Sequence, residues 1–386
     1  MNNAIDQSAV KAAAQPKAVP QSRVDFERPL VSILGLPFDA ITLEEAVQRI
    51  RRDAFDGRRC FVSTPNLNFA IAAHSDPAFR DTVMRSDLSL VDGMPLVWVA
   101  RLLGLPVPQR VSGADVFSAL QAHTGPPVSV FLFGGPVGVA ARACEAINRL
   151  GGGIRCVGFD TPGFGSVESM SSDEQIARIN ESGAQFVVVA LGAKKGQAWI
   201  EHNAARLTAP VLSHLGAVVN FAAGTVLRAP HWVQWCGLEW LWRIKEEPSL
   251  WRRYWSDGVI AVGLLLTRVL PDAIESRLRT DRHPSVRHVQ VLPAPGEVTL
   301  ELNGTWLDND LGELQAALAQ SAVGCRHITI DLSGVVAVAD RFVALLLLSR
   351  GWYDRHGGLN IVGASQQVAA TLRRKLAEHL IAGSKP

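Results

Sequence analysis

The chain has 386 residues, 48% of them hydrophobic and 19% charged, with a formal net charge of +2. That length suits two or three domains, and the near-neutral balance excludes a general nucleic-acid binder, so any basic surface must be local. Cys60, Cys144, Cys156, Cys236 and Cys325 are scattered without a C-x-x-C, which argues against a zinc site or disulfide framework and for buried thiols in a reducing compartment.

Residues 1–28 lack the apolar core of a signal peptide and read as a disordered lead-in. From 29 to 227, short β-rich runs alternate with helical patterns. Phe61–Thr64, Leu88–Asp92, Val128–Gly135 and the runs GIRCVGF, QFVVVALG and PVLSHLG read as strands. This alternation predicts an α/β fold with a Rossmann-like, doubly wound, mainly parallel sheet.

Such sheets bind ligands at the carboxyl ends of their strands. The residues that follow the strands are Thr64 and Asn66, then Asp92 with Arg110 beyond it, then the Gly134-Gly135 turn. Glycines admit a close backbone approach and a helix N-terminus favours anions, so the set suits a diphosphate-bearing substrate. Taken singly, Thr64, Asn66 and Asp92 are each better explained as helix caps. FLFGGPVGVA has Phe133 where a dinucleotide fingerprint needs glycine, which speaks against a dehydrogenase even with Asp160 some way downstream. Capping also explains Asp308-Asn309-Asp310 better than a metal site does.

The segment 228–282 holds six of the ten Trp, interleaved with Arg228, Arg243, Arg252 and Arg253. Trp favours a boundary with one wet side, and Arg pairs with phosphate. Pro248 suits the first turn of a helix that Pro271 would stop. The apolar run Val259–Leu270 falls short of the roughly 20 residues a span needs. Peripheral attachment to a membrane is one expectation for it; packing onto the rest of the chain is the other. A linker leads to 287–386, where strands and helices alternate as a compact α/β module.

Several motifs then converge. Thr64-Pro65-Asn66, Asp92-Gly93, Arg110-Val111-Ser112-Gly113, Leu191-Gly192 with Lys195 and Trp199, Arg228-Ala229-Pro230, Glu239-Trp240 and Glu247-Pro248 occur in one order. Together they resemble the WecG/TagA/CpsF glycosyltransferase family over roughly Leu30 to Tyr254. The resemblance implies a GT-E fold and metal-independent, inverting sugar transfer without a cofactor. It implies a nucleotide-sugar donor, a UDP-sugar by the family's habit, and a polyprenyl-diphosphate-linked acceptor in bacterial cell-surface polysaccharide synthesis. It places the protein at the inner face of the cell membrane, with the appendage completing the site.

By motif, Asp92 resembles the catalytic base, and Thr64 and Asn66 resemble polar groups near it and the donor. Arg110 resembles the group that stabilises the leaving diphosphate. Gly134, Gly135, Lys195 and Gln197 fall on the donor side, and Arg228, Arg243, Arg252 and Arg253 on the acceptor and lipid-phosphate side. One departure stands out. The family reads Pro-Lys-Gln-Glu where this chain has Lys194-Lys195-Gly196-Gln197, so its pocket glutamine falls on Gly196. Gln197 standing in from the next position, an altered donor, or a degenerate transferase that serves as a scaffold are the three expectations.

Asp331-Leu332-Ser333-Gly334, the run Val335–Asp340 and Gly363-Ala364-Ser365 resemble a STAS domain, which implies a protein partner. Asp340 stands where regulatory members carry a phosphorylatable Ser. A helix cap is the favoured expectation for it, and a fixed mimic of the phosphorylated state is the sharper one.

Overall fold

The computed structural model describes residues 19–20, 24–278, 287–307, 310–323 and 327–381. The lead-in before residue 19, residues 21–23, the linker at 279–286, and Asp308 and Asn309 of the D-x-D lie outside the described residues.

Strands β1 (Leu30–Ile33) and β2 (Leu36–Asp39) form an antiparallel hairpin. Strands β3 (Cys60–Ser63), β4 (Leu88–Ser89), β5 (Val128–Gly134), β6 (Ile154–Asp160), β7 (Phe186–Ala190) and β8 (Val211–His214) follow. They form one parallel sheet in the order β4-β3-β8-β7-β5-β6. Near-continuous apolar runs such as Phe186–Ala190 suit strands covered on both faces. Helices supply that cover, and Phe133 stacks on the buried Trp199 at 4.2 Å.

A second sheet, in the order β12-β11-β10-β9, is built from β9 (His288–Ala294), β10 (Glu297–Trp306), β11 (His327–Val338) and β12 (Leu359–Val362). The hairpin and β9 have no counterpart among the sequence-predicted strands. The short run Val335–Val338 is the end of β11 rather than a separate piece.

The two sheets are joined by apolar packing. The helix Asp340–His356 lies against β1, β2 and the helix Pro77–Met84. Phe26, Leu30 and Met84 share one core with Leu300, Ile330, Phe342 and Leu346. Gly351 permits the approach: a Cβ there would lie 2.6 Å from the Met84 carbonyl carbon. Arg355 pairs with Glu201 at 2.5 Å across the same junction. The lead-in therefore ends earlier than expected. Phe26 is buried in that core and Arg28 pairs with Asp39 at 2.5 Å, so burial and a bidentate ion pair order residues that composition alone assigns to coil.

Three further expectations need correction. Pro271 does not end the appendage helix. Trp251–Leu264 passes through a π-helical stretch, Leu265–Val269, into Leu270–Leu278. The wider turn just before Pro271 changes the hydrogen-bond register ahead of a residue that cannot donate. Asp340 does not cap its helix: Ala339 holds the N-cap position, and the Asp340 carboxylate pairs with Lys375 at 2.8 Å. Lys375 also pairs with Asp272 at 2.7 Å, tying this helix start to the appendage. Finally, Cys144 and Cys156 are joined as a disulfide and Cys236 is exposed, so only Cys60 among the described cysteines is a buried thiol. A helix and its following strand bring Cys144 and Cys156 together, a proximity that spacing did not reveal.

Candidate active site at the carboxyl edge of the parallel sheet

All six strands point the same way, so the residues after them line one edge. After β3, Thr64 is buried beside Gly113, where a Cβ would lie 3.4 Å from its hydroxyl. Asn66 Oδ1 accepts the Phe69 N–H at 3.1 Å and caps the helix Leu67–Ser75, as the plain reading of its type expects. The same residue borders Gly93, where a Cβ would be 3.9 Å from its own.

Beyond β4, Leu90 N–H donates to Ser63 and Asp92 N–H to Pro65, at 2.9 and 3.1 Å, which holds the strand extension against the β3 loop. Gly93, at φ 104, then turns the chain into the helix Met94–Leu102. Asp92 is therefore not a cap: Gly93 is, and the half-buried Asp92 carboxylate accepts no hydrogen bond from any described residue. Burial pushes its pKa up to about 7; Arg110 opposes the rise, Glu239 and Asp115 add to it, and Arg243 opposes it again.

Arg110 is held on three sides. It donates to Glu239 Oε2 at 2.7 Å, Asp115 Oδ2 at 2.8 Å and Gln234 Oε1 at 3.1 Å. Arg228 pairs with the other oxygen of Asp115 and shares Gln234. Asp115 also forms a capping box with Ser112, at 2.6 Å between side chains, and the ion pairs and this bond hold its pKa below the usual range against the cost of burial. Arg243 lies 5.9 Å from the Phe221 ring and adds positive potential at Asp92. Three guanidinium groups thus face three carboxylates, and protonation of Asp92 leaves the cluster net positive.

Of the donor-side set, Gly134 and Gly135 make the turn after β5 at φ 100 and 83. A Cβ on Gly134 would lie 2.8 Å from the Ala190 carbonyl oxygen, so only glycine fits. Lys195 is exposed and donates to the Gly165 carbonyl at 2.8 Å. Helical spacing turns Gln197 inward, where it is fully buried and donates to Ser63 Oγ at the end of β3 at 2.7 Å, while its Oε1 has no hydrogen-bond partner among the described residues.

On the other side, Arg228 and Arg243 approach the Asp92 cluster. Arg252 and Arg253 lie apart from it, exposed, over Trp251 at 5.6 Å and Tyr254 at 5.3 Å. Trp232, Trp235, Trp251 and Trp255 are exposed along with Val259, Ile260, Val262 and Leu266. Asn68 donates to Asp257 at 2.8 Å and fastens this helix to the β3 loop region. Among the described residues no helix is long and apolar enough to cross a membrane, and no cluster of His, Cys, Asp and Glu is placed to hold a metal ion.

Sequence reasoning missed Asp115 and Gln234. Asp115 had a signal, the Ser-x-x-Asp spacing, but that spacing speaks only for a cap. Gln234 carries no local signature.

A family model described as Glycosyl transferase WecG/TagA/CpsF matches residues 31–273, and one described as Mlab, STAS domain matches residues 290–381. An N-acetylglucosaminyldiphosphoundecaprenol N-acetyl-beta-D-mannosaminyltransferase of Bacillus subtilis is 28% identical over 237 residues, 61% of this chain and 90% of that protein. One of the same name from Bacillus spizizenii is 28% identical over 194 residues, 50% of this chain and 74% of that protein. A solved structure titled crystal structure of SsGBP and GDP complex covers 67% of this chain and 99% of that one at 9% identity, but its TM-score of 0.21 supports no argument. With the first model covering well over half its length, the chain belongs to the WecG/TagA/CpsF family of glycosyl transferases and carries a STAS domain behind the transferase region.

Proposed function

We propose that this chain transfers a sugar, with inversion, from a nucleotide-sugar donor to a polyprenyl-diphosphate-linked acceptor at a membrane surface. Asp92 takes the proton of the acceptor hydroxyl as that oxygen attacks the anomeric carbon. The bond from that carbon to the donor diphosphate breaks, and the nucleoside diphosphate leaves with the electron pair. The observation that carries this reading is the Asp92 carboxylate itself: half-buried, free of hydrogen bonds from described residues, and raised to about pH 7. A base titrating near the working pH is both available and strong enough to assist. Arg110, oriented by three acceptors, and Arg228 beside it supply positive potential toward the departing charge. The names of the two Bacillus relatives support a polyprenyl-diphosphate N-acetylglucosamine acceptor.

In this reading residues 29–227 form the catalytic core, 228–282 the membrane-facing appendage and 287–386 the STAS domain. The exposed Trp and Arg side chains of the appendage suit the headgroup layer, so attachment is peripheral and on the inner face of the cell membrane. The test supplies the purified full chain with a panel of UDP-sugars and a short-chain polyprenyl-diphosphate N-acetylglucosamine. Wild type transfers sugar, and Asp92→Asn loses at least about 100-fold. Equal rates in the two remove the base. Nucleotide binding without turnover by wild type establishes the scaffold instead.

A further inference from the structure

A polar side chain at the donor edge is used by none of the roles above. His214 ends β8, at the middle of the parallel sheet and one strand from the β3 loop that carries Thr64. Its ring sits over Gly196, in the first turn of the helix Ala193–Asn203. A Cβ on Gly196 would lie 2.8 Å from His214 Cγ and nearer still to Cδ2. The space a side chain at 196 would fill is therefore taken by the imidazole. On its far side, a Cβ on Gly216 would lie 3.2 Å from His214 Nε2, so no side chain at 216 covers that nitrogen. Nε2 is buried and has no hydrogen-bond partner among the described residues.

Leaving a buried polar atom without a partner is costly, so such an atom at a candidate site asks for an explanation. Burial holds the ring's pKa down at about 4, so at neutral pH it is uncharged. A neutral imidazole offers one donor and one acceptor, which complements a hydroxyl or an amide and not a diphosphate. In the sheet it pairs with Val189 of β7, while the preceding Ser213 pairs with Val62 of β3, so the β3 loop with Thr64 and the Leu191-Gly192 turn lie just beyond it on either side.

We propose that His214 is a donor-binding residue that hydrogen-bonds an uncharged group of the nucleotide sugar, taking the place in space that Gly196 vacates. This rests on the carboxyl edge being the donor site. It also accounts for the absent glutamine at position 196: the polar group has moved from the helix to the strand end beneath it.

Isothermal titration of the full chain with UDP and with a panel of UDP-sugars tests it. Binding of a UDP-sugar by wild type upholds the donor site; no binding of any nucleotide overturns that site and this inference with it. Given binding, His214→Phe, which keeps ring volume but no hydrogen bond, weakens affinity about ten-fold, while His214→Gln, which keeps a donor and an acceptor, stays within about three-fold of wild type. Loss for UDP-sugar alone assigns the contact to the sugar, and equal loss for UDP assigns it to the nucleoside. Gly196→Ala displaces the ring and weakens binding without touching ligand. Wild-type affinity in folded His214→Phe overturns the inference. Should that variant fail to fold, wild-type affinity in Gly196→Ala does the same. The imidazole stays neutral between pH 8 and pH 6, so a ten-fold change of affinity over that range in wild type but not in His214→Gln also overturns it.

Discussion

Arg110 Nη1 donates to Glu239 Oε2 at 2.7 Å, a bond between residues 129 positions apart. It ties the loop after the helix Met94–Leu102 to the Trp/Arg appendage and fixes one face of a guanidinium whose other donors reach Asp115 and Gln234. A lysine in its place is a point charge on a flexible stem and cannot reproduce the planar fork that reaches these three acceptors. Arg110→Lys should lower kcat/KM about 10- to 100-fold. Steady-state kinetics of Arg110→Lys, Glu239→Gln and the double variant check this. Their coupling energy should be about 1–3 kcal/mol, and strict additivity would show that the bond does not matter to transfer.

Asp92 should govern the pH dependence of transfer. As a base it works only when deprotonated, so kcat/KM should rise with pH through a single ionisation near pH 7. Asp92→Asn should remove that limb together with most activity. An ascending limb that survives the substitution belongs to another group.

The same carboxylate should make the protein less stable at high pH. Its folded pKa lies above the unfolded value, so the folded state holds the proton more tightly and the contribution to stability falls as pH rises from about 4 to about 7. Asp92→Asn should therefore raise Tm at pH 8 and change it little at pH 4. Discounting for solvent that reaches a half-buried group, the gain at pH 8 is on the order of 1–2 kcal/mol. Scanning calorimetry at the two pH values decides it.

Membrane attachment should depend on charge as well as on the exposed Trp side chains. Arg252→Glu with Arg253→Glu should release the protein from vesicles containing anionic lipid and leave it folded, because neither guanidinium touches the Asp92 cluster. Each reversal removes about 1 kcal/mol of attraction and adds a comparable repulsion. Vesicle cosedimentation at low and high salt reads the result, and undiminished binding would assign attachment to the apolar face alone.

The STAS domain should be inseparable from the transferase fold. Gly351→Ala places a methyl group against the Met84 carbonyl and should destabilise the chain by about 1–3 kcal/mol, with Tm lower by on the order of 5 °C. Deletion from residue 287 onward should expose Leu30 and Met84 and yield aggregated material. A soluble truncated chain with the Tm of the whole would show that the two parts merely adjoin.

Much of the fold was legible because the signals are local. Apolar runs of strand length, each followed by a helical period, mark six parallel strands in sequence order, and the positions after them mark the edge where Thr64, Asp92 and the Gly134-Gly135 turn gather. The hairpin Leu30–Asp39 was not legible, because each arm is a four-residue strand buried throughout, with no alternation to betray it. Pro271 misled for a related reason: the rule that proline stops a helix assumes α-helical hydrogen bonding, and here a π turn precedes it.

By itself the sequence determined element types, their order and the motif set that points to sugar transfer. These follow from propensity and periodicity, which act over a few residues. Only the tertiary structure decided which charges meet. It set Arg110 and Arg228 on a shared Asp115, and it turned Gln197 into the core and brought His214 over Gly196. It also buried the STAS helix against the β1–β2 hairpin. Contacts between residues a hundred or more positions apart depend on the packing of whole layers, and no local pattern encodes that distance.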